Sequence, residues 1–298
     1  MSANTISVPY QVVYIVLPTI SVLGNTLIIY ATLISRELRN PCNIFIALVA
    51  LGDIMLMFSF YTTIVTYKLY EDHLIPQDVC VYFNIIPFFG TCFSTMLLLN
   101  LALDRLLSLT TLYNLLSSTY AKLYIMVHVL PGCAFGITVD VLMILNRAAD
   151  KNVLCTMSTL LLPPVAEIFV KTTFIICVSI ILCYSFFALF LRRLKMSTEV
   201  TKNVYRSLIV ISLTVVFGTF GCVIVAMTDD PSDTENSSML AGILISSGTA
   251  VNFFAYYSMS TQYRGVFDSV FGIGRLKNAV FPKKPTTVFN IAPRTLEP

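Results

Sequence analysis

The sequence predicts an all-α fold, a bundle of seven membrane-spanning helices. Of its 298 residues 56% are hydrophobic and only 12% are charged, against about 25% charged residues in ordinary soluble domains. The charged residues are also unevenly placed, because they leave several apolar runs of about 20 residues, the length that crosses the ~30 Å hydrocarbon core of a bilayer. This composition indicates an integral membrane protein. The net charge of +3 gives no reason to expect nucleic acid as a partner.

The spans follow one another along the chain with short connections. The first carries no charged residue, Asp53 interrupts the second, and the fourth contains His128 and Asp140. The predicted spans cover about residues 8–33, 43–67, 79–104, 123–145, 165–191, 207–228 and 238–260. Residues 1–271 then form one membrane domain, and residues 272–298 a cytoplasmic tail. Between them, Tyr263, Val266, Phe267 and Val270 recur at i, i+3, i+4 and i+7, which predicts a short amphipathic eighth helix on the inner membrane surface.

Lysine and arginine predict how the bundle is oriented. One set of connections, together with the tail, carries most of them, whereas the opposite set carries only Lys68, Arg147 and Lys151. Cytoplasmic loops of membrane proteins are enriched in these residues. The N-terminus is therefore expected outside and the C-terminus in the cytoplasm.

Three polar features inside or beside the spans invite a functional interpretation. Asp53 lies alone in span two, where a charge costs at least about 2.5–3.5 kcal/mol to insert, so it is either functional or a neutral acid with a structural role. Asn252 either bonds across the bundle toward Asp53 or simply accompanies the interfacial tyrosines Tyr256 and Tyr257. Asp104-Arg105, at the inner end of span three, is either a functional pair or an interfacial ion pair.

The outer face contains further candidates. Six of the eight cysteines lie in or beside spans, which leaves Cys80 and Cys155 on the oxidising side, either as a disulfide that ties the longest outer loop to span three or as two free thiols. Asn236 begins a glycosylation sequon. Lys171 and Asp140 either pair or contact a polar ligand, unless Lys171 extends outward to the interface.

These motifs occur in a familiar order. The chain carries the motifs Gly24-Asn25, Leu51-Gly52-Asp53 and Asp104-Arg105-Leu106 in that order, together with Cys80 and Cys155. In these motifs it resembles the rhodopsin-like (class A) G-protein-coupled receptors from about Tyr10 to Phe271. The chain is most similar to the nematode serpentine chemoreceptors of class sx. That similarity is carried by Leu38-Arg39-Asn40-Pro41-Cys42, by Leu103 to Leu109, and by Asn252 to Tyr257 followed by Ser260 to Arg264.

The resemblance implies a chemosensory receptor of the plasma membrane, in sensory-neuron cilia, with a heterotrimeric G protein, membrane lipid and a small odorant-like molecule or a peptide as partners. It implies no enzymatic activity and no cofactor. The implied coupling and activation residues are Asp104, Arg105, Tyr184, Asn252 and Tyr256, and the implied polar core is Asn25, Asp53, Ser94 and Asn252. The implied ligand-binding wall is Phe83, Asn84, Pro87, Phe88, Thr91, Thr172, Phe220, Ser246 and Ser247. Cys80 and Cys155 would form the structural disulfide.

Some positions depart from the family pattern. Leu106 and Phe253 replace a common tyrosine and the usual proline, and the chain has no tryptophan. The resemblance also implies a sodium ion at Asp53 and Ser94, although Gly248 replaces another polar ligand. A peptide receptor of the same fold and a seven-span ligand-gated channel or transporter remain alternatives, although insect-type odorant channels place their N-terminus inside. With only two histidines, no histidine metal site is expected.

Overall fold

The computed structural model describes residues 6–193, 218, 221 and 234–270. Most of the predicted sixth span (207–228), the wall residue Phe220 and the tail (272–298) lie outside the described residues. Gly218 and Gly221, the two described residues of that span, are helical. Asn236 lies in a described helix, but its side chain is outside the described part of the structure.

The described chain is almost entirely helical. The helices are α1 (Val8–Ile34), α2 (Pro41–Leu69), α3 (Gln77–Leu107), α4 (Leu112–Ser118), α5 (Ala121–Leu145), α6 (Met157–Leu160), α7 (Val165–Arg193), α8 (Thr234–Met259) and α9 (Thr261–Val270). Six of these, α1, α2, α3, α5, α7 and α8, are long and apolar enough to cross a membrane. The predicted spans other than the sixth fall on these six helices. Helix α2 has an ordinary capped start, where Pro41 opens the helix and the Asn40 side chain accepts a hydrogen bond from the Asn43 backbone N–H at 2.9 Å.

Helix α3 lies at the centre of the described bundle. It packs against α2, α5 and α7, while α1 packs against α2 and α8. Two glycines allow α2 and α3 to touch backbone to backbone. A Cβ added to Gly90 would lie 2.5 Å from the Met55 Cβ and 2.6 Å from the Gly52 carbonyl oxygen. This contact fixes the separation of the two helices that carry most of the candidate site.

The two ends of the bundle differ in chemistry. At one end, here called the disulfide end, Cys80 at the start of α3 is bonded to Cys155, with a Cα–Cα distance of 5.6 Å. The disulfide predicted from the sequence is therefore confirmed. Beside it, strand β1 (Ile75–Pro76) pairs antiparallel with β2 (Asn152–Val153). Helix α4 lies at the opposite end, here called the Arg105 end. Neither this helix nor the strand pair was predicted from the sequence.

Two side chains hold the loop between α5 and α7 at the disulfide end. Gln77 is completely buried, and its Nε2 donates to the Leu160 carbonyl at 3.1 Å while its Oε1 accepts from the Ala148 N–H at 2.8 Å. The Thr63 hydroxyl of α2 donates to the Cys155 carbonyl at 2.7 Å. The loop is thus attached to both α2 and α3 besides the disulfide.

The final described helix, α9, packs one face against the bundle. Tyr263 and Phe267 are buried, and the Tyr263 hydroxyl lies 3.0 Å from the Thr32 hydroxyl of α1. The Phe267 ring lies 5.0 Å from the ring of Phe253 in α8. The helix falls on the predicted amphipathic segment, and its place on the membrane surface remains a prediction.

Candidate functional site

A polar core lies where α2, α3 and α8 meet. Asp53 is only 1% exposed, and its Oδ2 accepts a hydrogen bond from Asn252 Nδ2 at 2.9 Å. This is the cross-bundle bond that the sequence allowed as one of two interpretations of Asn252. Ser94 of α3 lies within reach of the same carboxylate. Asn25, the fourth predicted member, donates within α1 to the Ser21 carbonyl at 3.0 Å.

Two acceptors in this region have no donor. The side-chain oxygens Asn25 Oδ1 and Asn252 Oδ1 are buried and have no hydrogen-bond partner among the described residues. The two residues flank a close approach of α1 and α8, where a Cβ on Gly24 would lie 2.7 Å from the Phe253 Cβ. A buried acceptor without a donor costs about 1–3 kcal/mol. The region therefore suits a water molecule or a small cation.

The fit to a sodium ion is incomplete. Asp53, Ser94 and Asn252 supply a carboxylate, a hydroxyl and an amide oxygen, but Gly248 contributes no side chain. Within the described part of the chain, no group of three His, Cys, Asp or Glu residues could hold a metal ion. The sodium site remains an expectation from the resemblance.

The Arg105 end contains a closed ionic cluster. Asp104 is completely buried and Arg105 is 7% exposed. The guanidinium donates to Asp104 Oδ2 from both Nε, at 2.8 Å, and Nη2. The Tyr124 hydroxyl donates to Asp104 Oδ1 at 2.7 Å, and Arg105 Nη2 donates to the Tyr113 hydroxyl at 3.3 Å. Both oxygens of Asp104 are therefore bonded, and the charge of Arg105 is held inside the bundle.

The two tyrosines of this cluster come from elements outside α3. Tyr113 lies in α4, and Tyr124 lies in the first turn of α5. Burial, and after it the negative charge of Asp104, raises the pKa of the Tyr113 phenol to about 12. Tyr113 is consequently a neutral phenol throughout the physiological pH range, so its bond to Arg105 is not an ion pair.

The other predicted switch residues are buried near this cluster. Tyr184 of α7 is 4% exposed and packs with residues of α3, among them Leu98 and Ala102. Tyr256 of α8 is 5% exposed, and its ring centroid lies 5.1 Å from that of Tyr263. The structure brings Asp104 and Arg105 into direct contact, and it places Tyr184 and Tyr256 in neighbouring apolar clusters.

At the disulfide end, the predicted ligand wall is only partly assembled. Asn84 is completely buried under the disulfide, where its Nδ2 donates to the Cys80 carbonyl at 3.0 Å. Phe88 is 1% exposed, and its ring centroid lies 5.0 Å from that of Phe169 in α7. Phe83, in contrast, is 55% exposed.

The remaining wall residues differ in environment. Thr91 is half-buried and donates to the Pro87 carbonyl at 3.0 Å, while Pro87 itself is buried. Ser246 of α8 is completely buried and donates to the Ile243 carbonyl at 3.1 Å. Thr172 and Ser247 are half-buried. The described structure therefore joins Phe88 to α7.

A separate cavity of about 400 Å³ opens at the disulfide end. It is lined by Leu74 together with loop residues 151–154, 158, 159 and 161–163. None of the described wall residues lines this cavity, because it lies mainly within the loop that follows α5.

Comparison with known families identifies the fold. The model of the Srsx serpentine seven-transmembrane chemoreceptors, a class of G-protein-coupled receptors, matches residues 18–271. The chain belongs to the Srsx family. The resemblance to class sx receptors seen in the sequence is thereby confirmed, and the protein is a multi-pass membrane protein of a receptor class that is not normally enzymatic. No curated protein matches this chain.

The Srsx match includes the polar core, the ionic cluster and the disulfide. Three side-chain contacts of this Srsx protein were nevertheless missed from its sequence, those of Tyr113, Tyr124 and Gln77. Tyr113 and Tyr124 lie in a connection and at a helix start, where an aromatic residue is equally consistent with a membrane interface. Gln77 lies just before the apolar run of span three, where a polar residue is a signal of a buried hydrogen-bonding side chain.

Proposed function

We propose that this Srsx protein is a G-protein-coupled chemosensory receptor of the plasma membrane, located in the cilia of sensory neurons. It binds a small extracellular molecule within the helix bundle and activates a heterotrimeric G protein. The observation that carries this proposal is the closed cluster of Asp104, Arg105, Tyr113 and Tyr124. The buried guanidinium of Arg105 is held at one end of the bundle by hydrogen bonds that can break and re-form. This arrangement suits a switch with a closed and an open state.

Two independent arguments support the orientation. The excess of lysine and arginine favours a cytoplasmic position for the Arg105 end. Disulfides such as that between Cys80 and Cys155 form in oxidising compartments, which favours an outer position for the disulfide end. The second argument does not depend on charge, so their agreement strengthens the assignment.

In the open state, Arg105 leaves Asp104 and turns toward Tyr184 and the G protein. Removing one partner of a buried ion pair costs about 3–5 kcal/mol, so the closed cluster resists spontaneous opening. A ligand shifts this equilibrium only by the difference between its affinities for the two states. The ligand must therefore bind the open state more tightly than the closed state by a comparable free energy.

The disulfide end supports a small ligand. The loop after α5 is attached to α2 by Thr63 and to α3 by both Gln77 and the disulfide. Beneath it, Asn84, Phe88 and Phe169 offer an amide and two aromatic rings. Small-molecule sites usually combine an apolar lining with a few polar groups of this kind.

The proposal is tested by replacing Arg105 with alanine and Arg36 with alanine as the matched control. Arg36 is exposed and is expected on the same side of the membrane. G-protein recruitment is measured by energy transfer in cells whose receptor carries an N-terminal tag, both without ligand and with a panel of small volatile and polar compounds.

We expect the Arg105→Ala receptor to reach the surface and to lose recruitment, and the Arg36→Ala receptor to behave as wild type. Normal recruitment by Arg105→Ala would contradict the switch. A tag that is inaccessible from outside intact cells would contradict the orientation and would favour a channel instead.

A further inference from the structure

Asp140 is a buried carboxylate that the proposed switch does not use. It lies in α5, five residues before the end of that helix at the disulfide end, and is 7% exposed. Its Oδ1 has no hydrogen-bond partner among the described residues. Lys171, considered as its partner from the sequence, instead pairs with Glu167 on the exposed face of α7. The structure thus leaves Asp140 without its expected counter-charge.

Helix packing does not explain this acid. The face of α5 that meets α3 is formed by small and apolar residues, and a Cβ on Gly136 would lie 2.6 Å from the Phe89 ring. Val139 and Met143 continue the same face in an apolar cluster. An acid inside a membrane helix costs at least about 2.5–3.5 kcal/mol to insert. A functional role is therefore the better explanation of Asp140.

Asp140 lies beside the helix face that holds part of the predicted ligand wall. It is close enough to Cys92 of α3 to interact with it electrostatically. Asn84, Phe88 and Cys92 follow one another at four-residue intervals, so they share one face of α3 over about 12 Å. Asn84 Oδ1 at the top of this face is also buried without a partner among the described residues.

Helix α7 adds a third unsatisfied group. The Phe169 ring packs at a tilt against that of Phe88, and Thr173 lies one turn further along α7. Thr173 is 3% exposed, and its Oγ1 again has no partner within the described part of the chain. Within the described structure, α3, α5 and α7 thus each carry an unsatisfied polar atom in or next to the stretch that contributes to the apolar cluster of Phe88, Val139 and Phe169. Two of those atoms, on Asn84 and Asp140, are acceptors. A ligand that complements them needs an apolar body and a hydrogen-bond donor.

We propose that Asp140 is a ligand-binding residue that selects small apolar molecules carrying a hydrogen-bond donor, either an amine or an alcohol. The donor binds Asp140, and the apolar body lies against Phe88 and Phe169. A negatively charged molecule is repelled by the Asp140 carboxylate, and a molecule with only acceptors leaves that carboxylate without a hydrogen bond. This inference rests on the proposed receptor function and specifies its ligand class.

The test uses purified full-length receptor and four probes that share one ring and differ in the head group: benzylamine, benzyl alcohol, benzaldehyde and benzoate. Binding is measured as ligand-dependent thermal stabilisation, which requires no G protein. The variants are Asp140→Leu, which removes charge and acceptor, and Asp140→Asn, which keeps an acceptor oxygen. Thr138→Ala, on the exposed face of the same helix, is the control.

We expect benzylamine or benzyl alcohol to stabilise the wild type and Thr138→Ala receptors, and benzaldehyde and benzoate to have no effect. Asp140→Leu should weaken that binding about 10- to 100-fold, the effect of losing a hydrogen bond to a charged group. Asp140→Asn should spare an alcohol and weaken an amine, which identifies the donor.

Any one of three results would overturn the inference. They are unchanged affinity in Asp140→Leu, binding of the aldehyde or the acid equal to that of the amine or the alcohol, and no stabilisation of the wild type by any probe. The Arg105 experiment is scored separately. Coupling that depends on Arg105 without donor-selective binding would refute this inference alone, and donor-selective binding without coupling would refute the proposed receptor mechanism.

Discussion

The contact between Gly52 and Gly90 predicts that alanine at position 90 will destabilise the bundle. The added Cβ would lie 2.5 Å from the Met55 Cβ, 2.6 Å from the Gly52 carbonyl oxygen and 3.1 Å from the Leu56 N. Favourable carbon contacts lie at about 3.5–4.0 Å, so α2 and α3 must separate by about 1 Å. Two of the three atoms belong to the backbone and cannot rotate away. Overpacking of this kind costs about 1–3 kcal/mol, or about 5- to 150-fold in the folding equilibrium.

Thermal unfolding of the purified receptor and its surface level in cells measure this cost. Gly265→Ala is the matched control, because nothing lies within 4 Å of a Cβ at that position of α9 and alanine favours a helix over glycine by about 0.5–1 kcal/mol. We expect Gly90→Ala to unfold at a lower temperature than wild type and Gly265→Ala to unfold no earlier. Wild-type stability of Gly90→Ala would refute the close approach of α2 and α3.

Two further predictions concern the ends of the bundle. Tyr124→Phe removes a hydrogen bond to the charged Asp104, and such a bond is worth about 1.5–3 kcal/mol. The variant should therefore raise ligand-free G-protein recruitment at least about 10-fold. Unchanged basal recruitment would mean that Tyr124 does not hold the closed state. Cys80→Ser should lower the free energy of unfolding by about 2–4 kcal/mol, whereas Cys133→Ser, at a free cysteine, should not. Equal thermal stability of the two cysteine variants would contradict a structural role for the disulfide.

The spans were predictable because the bilayer imposes a simple physical requirement. Each crossing helix needs about 20 apolar residues, and a lone acid such as Asp53 is conspicuous in such a run. The sequence left a bond from Asn252 to Asp53 as one of two interpretations. The structure selects it, because the two side chains are joined by a hydrogen bond of 2.9 Å.

Contacts at the ends of the helices were not predictable in the same way. Tyr113 and Tyr124 reach Asp104 and Arg105 only because α4 and the start of α5 fold back against α3. No periodicity in the sequence encodes that arrangement. The β1–β2 pair has two residues in each strand, too few for alternation to reveal, and the loop that carries it is positioned by the buried side chain of Gln77.

The arrangement of groups along α3 suggests how binding at one end affects the other. Asn84 and Phe88 lie near the disulfide, Ser94 lies at the polar core, and Arg105 closes the far end. All of them belong to one helix of 31 residues, about 46 Å long. A side chain that shifts alone moves only its neighbours, whereas a helix that shifts as a body moves all four groups together.

The Gly52–Gly90 contact determines which movements of α3 are open to it. Because α2 and α3 already touch through backbone atoms, α3 cannot move closer to α2, and it can only slide along α2, rotate against it or separate from it. Each of these movements displaces Ser94 from Asp53 and Arg105 from Tyr113 and Tyr124. A ligand that pulls α3 toward Asp140 in α5 would therefore loosen the polar core and the ionic cluster in one step. Under this reasoning, Gly90→Ala should alter basal coupling as well as stability, since it displaces the same helix without a ligand.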